Sequence, residues 1–249
     1  MLQNLNVYDN FNAKYRLGNP WDGGYVVSIF SIGKSDAVFS YGVGGDISFE
    51  RDYCLLTGKK AYCFDHTVDG INIRSDWLNV SPELKDKIIF KKEGISGEDQ
   101  EMTKHFFTHY DNEKMAGRVL LKLDVEGCEY DFFEKTDLQK LASITSGIVI
   151  EFHNFHIKET YEKFLQLLEK MNKFYYIIHI HGNNYGGISE YEYNGQIYTM
   201  PHFLEVSFVN KDISPMAKVS DGPHPDPRYD CKNELSKQEH NLDFLKLIK

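Results

Sequence analysis

Residues 39–46 read Phe-Ser-Tyr-Gly-Val-Gly-Gly-Asp and begin within a short apolar run. Gly42, Gly44 and Gly45 stand where a chain can turn sharply and let a ligand approach its backbone, and a helical pattern begins near Ser48. The segment therefore predicts a strand, a cofactor-binding loop and a helix in succession. Because the spacing is not G-x-G-x-x-G, it favours a nucleoside without a pyrophosphate over a dinucleotide. A plain β-turn is the alternative interpretation.

The second apolar run ends at Asp65, 23 residues after Gly42. In doubly wound folds an acid at about this distance binds the ribose hydroxyls of the cofactor. The loop and the acid together predict a nucleoside cofactor, the competing interpretation being that Asp65 caps the next helix. After the third run, residues 94–96 offer small and apolar side chains for an adenine pocket, with Ser96 among them. A simple exit from the strand explains this last segment equally well.

Short apolar runs alternate with amphipathic stretches along the chain, the clearest helical pattern being residues 156–171. Such alternation predicts parallel βαβ units. The last two runs are joined instead by residues 182–200, which are rich in Gly, Asn and Tyr, and this predicts a hairpin-like return with an antiparallel final strand. The seven predicted strands are residues 37–41, 60–64, 87–90, 119–123, 147–151, 174–180 and 203–209.

The fourth run ends in Leu-Lys-Leu-Asp-Val-Glu-Gly-Cys-Glu, residues 121–129, which brings carboxylates to the edge of the sheet where open α/β folds bind ligands. Together with the glycine loop and Asp65, this motif resembles the FkbM-like family of class I S-adenosylmethionine-dependent methyltransferases. The resemblance includes Asp-Gly-Gly-Tyr within residues 16–25 and covers roughly residues 16–210. One departure is Ser40, which stands where an acid is common.

The resemblance implies a Rossmann-like class I methyltransferase fold, an α/β fold whose seven-stranded sheet is mostly parallel, with an antiparallel final strand and helices on both faces. It implies transfer of a methyl group from S-adenosylmethionine, commonly to an oxygen of a sugar, a capsule or natural-product precursor, or another small molecule. We expect one domain over residues 1–249, with an N-terminal extension (1–30) and a proline-rich C-terminal arm (212–249). The expected cofactor-binding residues are Tyr41, Gly42, Gly44, Gly45, Asp65, Ser96 and Asp124.

Polar side chains also follow the fifth and sixth runs. Glu151 and His153 share one face if the strand continues that far, and the expected strand order places Asp124 about 5 Å from Glu151. A divalent cation would relieve the repulsion between two such carboxylates. We therefore predict a metal site of Asp124, Glu151 and His153 that suits magnesium or manganese, the alternative being that Asp124 serves the cofactor without a metal.

The expected catalytic residues are Asp124 and a general base, either His153 or His181, that removes the proton of an acceptor hydroxyl. His181 lies on the sixth strand, two strands from the fifth, and reaches the centre only if its loop bends inward. A lone histidine at a strand end is more often a hydrogen-bonded structural residue.

The composition excludes several classes of partner. A net charge of −9 and a pI near 5.6 argue against nucleic acid. Because neither a signal peptide nor an apolar run of about 18 residues occurs, we expect a cytoplasmic protein without a membrane partner. The four cysteines lack C-x-x-C spacing and predict reduced thiols.

Two other functions stay open from the sequence. One is a metal-dependent hydrolase built on Asp124, Glu151, His153 and His181, which leaves the glycine loop unexplained. The other is a non-catalytic nucleoside-binding module, which leaves the strand-end histidines without a role. A nicotinamide-dependent dehydrogenase is disfavoured by the glycine spacing.

Overall fold

A computed structural model of the protein describes residues 2–9, 13–68, 82–214, 218–242 and 244–245. Its strands are β1 (Lys14–Leu17), β2 (Tyr25–Ser28), β3 (Ala37–Tyr41), β4 (Lys60–Phe64), β5 (Ile88–Lys91), β6 (Gly94–Ile95), β7 (Thr103–Lys104), β8 (Val119–Leu123), β9 (Thr145–Phe152), β10 (Tyr175–Tyr193) and β11 (Gln196–Asn210). Its α-helices are α1 (Ile29–Lys34), α2 (Ser48–Thr57), α3 (Phe106–Asn112), α4 (Glu129–Lys135), α5 (Leu138–Ile144) and α6 (Lys158–Met171). Short 3-10 turns occupy Leu2–Leu5 and Pro82–Leu84.

Seven strands form one sheet in the order β10-β11-β9-β8-β3-β4-β5. The pairs from β9 to β5 are parallel, whereas β11 lies antiparallel between β9 and β10. The predicted sheet, mostly parallel with an antiparallel final strand, is confirmed. All seven predicted strands are present. This order brings the carboxyl ends of β3, β4, β8 and β9 to one edge of the sheet.

The hairpin of β10 and β11 is longer than the two apolar runs that predict it. Pairing continues through residues 182–200 to a turn at Asn194 and Gly195, which both have positive φ angles (52° and 78°). Asn-Gly is the sequence most typical of such a tight hairpin turn. Backbone hydrogen bonds therefore extend both strands beyond the core.

The core has two parts, one on each face of the sheet. On one face α3 to α6 pack against Phe39, Leu121 and Ile150 with their neighbours. On the other face α1, α2 and the β1-β2 hairpin cover Val38 and Val149 with their neighbours. Alternate strand residues point to opposite faces, so each buried strand contributes to both parts. Helices on both faces agree with the prediction.

Segments from both ends of the chain border the edge of the sheet where the glycine loop and residues 124–129 lie. Residues 16–24 reach α2, and residues 221–240 run without regular structure beside β10 and β11. The rest of the predicted C-terminal arm lies partly outside the described residues (215–217, 243 and 246–249). No helix within the described ranges has both the length and the apolar character needed to cross a lipid bilayer.

Candidate active site

The glycine loop connects β3 to α2 and joins three strand ends. Gly42 has a φ of 76°, and its N–H donates to the carbonyl of Phe64 at 2.9 Å. A Cβ at this position would lie 1.6 Å from the carbonyl oxygen of Asp124, so only glycine lets the end of β8 approach this closely. By contrast, Gly44 and Gly45 face open space.

A cavity of about 490 Å³ lies directly over this loop. Proteins generally bind small ligands in cavities of about 300–1,000 Å³, often at the carboxyl ends of parallel strands. Of the predicted cofactor-binding residues, the cavity lining includes Gly42, Gly44, Gly45, Asp65 and Asp124. Its wall also includes Asp22 and Gly23 of the N-terminal extension.

Asp65 links the end of β4 to the glycine loop. Its Oδ2 accepts the Gly44 N–H at 2.8 Å, and its Oδ1 accepts the N–H and hydroxyl of Thr67 at 2.8 and 2.6 Å. Burial by itself raises the pKa of this carboxyl, but the hydrogen bonds from Thr67 and Gly44 lower the pKa below its ordinary value. Asp65 is therefore an ionised acceptor on the cavity wall.

Two predicted cofactor contacts need correction. The Tyr41 side chain lies in the core, where its ring stacks on Phe64 at 4.6 Å and its hydroxyl lies 3.0 Å from His109 Nδ1. The Ser96 hydroxyl donates to the Glu98 carbonyl at 2.6 Å and does not line the cavity. Gly94 and Ile95, which precede Ser96, do line the cavity. The predicted segment therefore reaches the cavity, but the Ser96 side chain does not.

Tyr25 connects the two carboxylates that the sequence places side by side. Its hydroxyl lies 2.8 Å from Asp124 Oδ2 and 3.2 Å from Glu151 Oε2, and Asn183 donates to Glu151 Oε1 at 2.8 Å. Burial raises the pKa of Glu151 well above its usual range, and the charge of Asp124 raises it further. A neutral Glu151 can donate to Tyr25 while Tyr25 donates to Asp124. One phenol hydroxyl therefore bridges the two carboxylates.

His153 forms a buried pair with Glu129 of α4. Glu129 Oε1 accepts the backbone N–H of His153 at 2.8 Å and lies 3.3 Å from its Nδ1. Burial lowers the pKa of His153, but the Glu129 hydrogen bond and the charges of Asp124 and Glu126 outweigh this effect and raise the pKa above its ordinary value. With Nδ1 held by Glu129, Nε2 is directed towards Asp124 and Glu126, at 3.8 and 3.6 Å. The arrangement is that of an oriented histidine base.

The same side chains are close enough to hold a cation. One ligand atom each from Asp124, Glu126 and His153 lies within 4.8 Å of the others. The predicted metal site named Glu151 in place of Glu126. Glu151 lies on the other side of Asp124, where Tyr25 and Asn183 hold it, although its Oε1 is still 3.9 Å from His153 Nε2.

His181 does not join this cluster. It is fully buried, with Nδ1 3.0 Å from Glu205 and Nε2 3.1 Å from Glu239. Burial lowers the pKa of His181, but the two carboxylates raise it well above its usual range. Both ring nitrogens have carboxylate partners, so the geometry leaves His181 no lone pair for an acceptor proton. The prediction of His181 as a base, and the four-residue cluster of the hydrolase hypothesis, are therefore not supported.

Four residues that shape the site had no individual predicted role: Tyr25, Glu129, Lys122 and Glu205. Lys122 and Glu205 were detectable as single charges inside apolar runs, at residues 119–123 and 203–209. Glu205 pairs in register with Glu151 on one side and His181 on the other. Glu205 therefore separates His181 from the strand that leads to His153.

The N-terminal extension is fixed to the start of α2. The Asn19 N–H donates to Ser48 Oγ at 3.0 Å, and its side-chain amide donates to Asp46 Oδ2 at 2.6 Å. A Cβ on Gly23 would lie 2.5 Å from Asp46 Oδ2, so glycine permits this close approach. This docking makes residues 22–23 one wall of the cavity.

Comparison with known proteins gives a family match and several similar structures. A family model described as the methyltransferase FkbM domain matches residues 32–178, more than half of the 249 residues. An FkbM methyltransferase from Methylobacillus flagellatus KT is similar at 13% identity and a TM-score of 0.40, covering 69% of this chain and 43% of that one. No curated protein sequence matches.

Two further structures are similar. The C-terminal domain of precorrin-6Y C5,15-methyltransferase from Rhodobacter capsulatus shares 9% identity with a TM-score of 0.38, covering 72% of this chain and 82% of that one. The putative tRNA (m1A22) methyltransferase Sp1610 from Streptococcus pneumoniae, in complex with S-adenosyl-L-methionine, shares 12% identity with a TM-score of 0.38, covering 78% and 73%.

Proposed function

Because the chain belongs to the FkbM methyltransferase family, we propose that it transfers a methyl group from S-adenosylmethionine to a hydroxyl of a small molecule, such as a sugar or a natural-product precursor. The observation that carries this proposal is the cavity over the glycine loop, whose lining includes Asp124, beside His153. A space of the size of a nucleoside therefore lies next to a histidine whose Nε2 is oriented by the contact of its Nδ1 with Glu129.

The cavity fits the cofactor in shape and charge. Gly44 and Gly45 leave space for close approach of a ligand, and Asp65 offers an ionised acceptor to ribose hydroxyls. The wall includes Asp46, Asp124 and Glu126, which suit the positive sulfonium and ammonium groups of S-adenosylmethionine. When bound, the cofactor supplies an electrophilic methyl group for in-line displacement.

The remaining task is to position the acceptor and remove its proton. We assign the base role to His153, whose Nδ1 contacts Glu129 and whose Nε2 lies near Asp124. Asp124, held by Tyr25, would accept a hydrogen bond from the acceptor and stabilise the imidazolium that forms. Effective transfer requires the acceptor oxygen about 3–3.5 Å from the methyl carbon.

Ligand binding tests the cofactor assignment. S-adenosylmethionine and S-adenosylhomocysteine at about 100 times Kd should each stabilise the native state by about 2.7 kcal/mol. For a chain of this size that raises Tm by about 5–11 °C in a thermal-shift experiment. NAD at the same concentration should leave Tm unchanged. Stabilisation by NAD but by neither adenosyl ligand would refute the proposal.

A metal-assisted form of the reaction is favoured by one observation, the closeness of Asp124, Glu126 and His153. A magnesium or manganese ion there could lower the pKa of an acceptor hydroxyl. If His153 acts as the base without a metal, treatment with EDTA and gel filtration should change the methylation rate by less than about 2-fold. A larger loss that manganese restores would instead support the metal-assisted form.

A further inference from the structure

Lys122 is a buried cation that faces the cofactor cavity. It lies on β8, is only 4% exposed, and belongs to the cavity wall. Its Nζ is 3.9 Å from Asp124 Oδ2 and 5.0 Å from the centre of the Tyr25 ring. Asp124 is its ion-pair partner, at a distance too long for a hydrogen bond. A lysine ammonium has three donors, and buried charges are normally paired.

A second buried group lies behind Lys122. Ser40 pairs in register with Lys122, and the Ser40 hydroxyl donates to Glu50 Oε1. Glu50 is fully buried, and its Oε2 has no partner among the described residues. The short serine side chain leaves room for this carboxylate, which comes from α2. Glu50 and Asp124 thus hold a positive charge at the base of the cavity.

The charge of the cavity indicates which group Lys122 binds. Its described lining includes Asp22, Asp46, Asp65 and Glu126 besides Asp124, and Lys122 is its only lysine or arginine. The methionine part of S-adenosylmethionine carries two positive groups and one negative group, the carboxylate. Among these acidic walls, the side chain best suited to an anion is the Lys122 ammonium.

We propose that Lys122 binds the methionine carboxylate of the cofactor and so makes the site specific for the intact amino acid. The inference rests on the proposed function. It assigns Lys122 to cofactor binding and leaves the acceptor to the part of the cavity at Asp124, next to which His153 lies. A charge-assisted hydrogen bond of this kind is shorter and stronger than a neutral one.

The test compares S-adenosylmethionine with its decarboxylated analogue, because the two differ only in the carboxylate. The wild-type protein should bind S-adenosylmethionine about 10- to 100-fold more tightly in isothermal titration calorimetry, as expected for a hydrogen bond to a charged group. Lys122→Met should reduce this preference to less than about 3-fold, chiefly by weakening the binding of S-adenosylmethionine.

Two further variants separate an effect on cofactor binding from a folding defect of Lys122→Met. Lys122→Met leaves Glu50 without its cation, so the double variant Lys122→Met/Glu50→Gln provides a second protein for the same comparison. Glu50→Gln alone keeps the ammonium and should keep the preference. If the preference for S-adenosylmethionine survives in both lysine variants, the inference is wrong. The same result is expected if Lys122 binds an anionic acceptor instead of the cofactor. If the wild-type protein binds neither ligand, the proposed function itself fails.

Discussion

Replacing His153 by glutamine should lower kcat for methyl transfer by about 100- to 10,000-fold, the range expected for removal of a general base. The variant should bind S-adenosylhomocysteine within about 3-fold of the wild-type Kd, because His153 lies beyond the cofactor cavity next to Asp124. Initial rates with labelled S-adenosylmethionine and calorimetric Kd values give the two quantities separately. The exposed His156 provides a control, and His156→Gln should keep the wild-type rate.

The pH dependence gives this prediction its sign. A general base works only in its neutral form, and the Glu129 pair raises the pKa of His153 above the ordinary value of 6.5 despite burial. In the wild-type protein kcat/KM should therefore rise with pH through a midpoint above 6.5, and Glu129→Gln should move that midpoint downward. A pH profile that is the same in wild type and Glu129→Gln, or full activity in His153→Gln, would exclude the base role.

Gly42→Ala should have the second large effect. The new Cβ would lie 1.6 Å from the Asp124 carbonyl oxygen at a φ of 76°, so the glycine loop or the end of β8 must move. We expect a loss of about 2–4 kcal/mol in unfolding free energy, a fall in Tm of about 4–16 °C, and no measurable binding of S-adenosylhomocysteine. Thermal unfolding and calorimetry measure these changes.

The neighbouring Gly45 supplies the matched stability control. A Cβ there meets no atom within 4 Å, so Gly45→Ala should keep the wild-type Tm within about 2 °C. If Gly42→Ala also keeps the wild-type Tm, the close approach of the loop to β8 does not constrain the fold, and the structural argument for Gly42 is wrong.

The strands were largely predictable because local patterns determine them. Apolar runs gave the bounds of β3, β4 and β8, where both faces are buried and the signal is continuous. The runs underestimated β10 and β11, since residues 182–200 form no continuous apolar run, although Tyr198 and Met200 pack in the core. The Asn194-Gly195 turn was a readable signal for that extension.

The site was predictable where the ends of neighbouring parallel strands form it. Gly42 and Asp65 follow adjacent strands, so their positions follow from the strand order. Tyr25 and Asn183 come from distant parts of the chain, and only tertiary packing brings both to Glu151. His181 is a predicted base whose Nε2 lies against Glu239 of the C-terminal arm. Spacing along the sequence contains no information about that contact.

The docking of residues 16–24 on α2 has a consequence for how this protein could diversify. The loop that we propose binds the nucleoside lies inside the family-matched region, residues 32–178, whereas Asp22 and Asn233 lie in flanking segments that share a hydrogen bond at 3.3 Å. Exchange of these flanking segments between relatives would change the residues near the proposed acceptor and leave the glycine loop unchanged. A chimaera with the flanking segments of a relative should therefore methylate a different acceptor with the same methyl donor. Such a division of the chain would let acceptor specificity diverge rapidly.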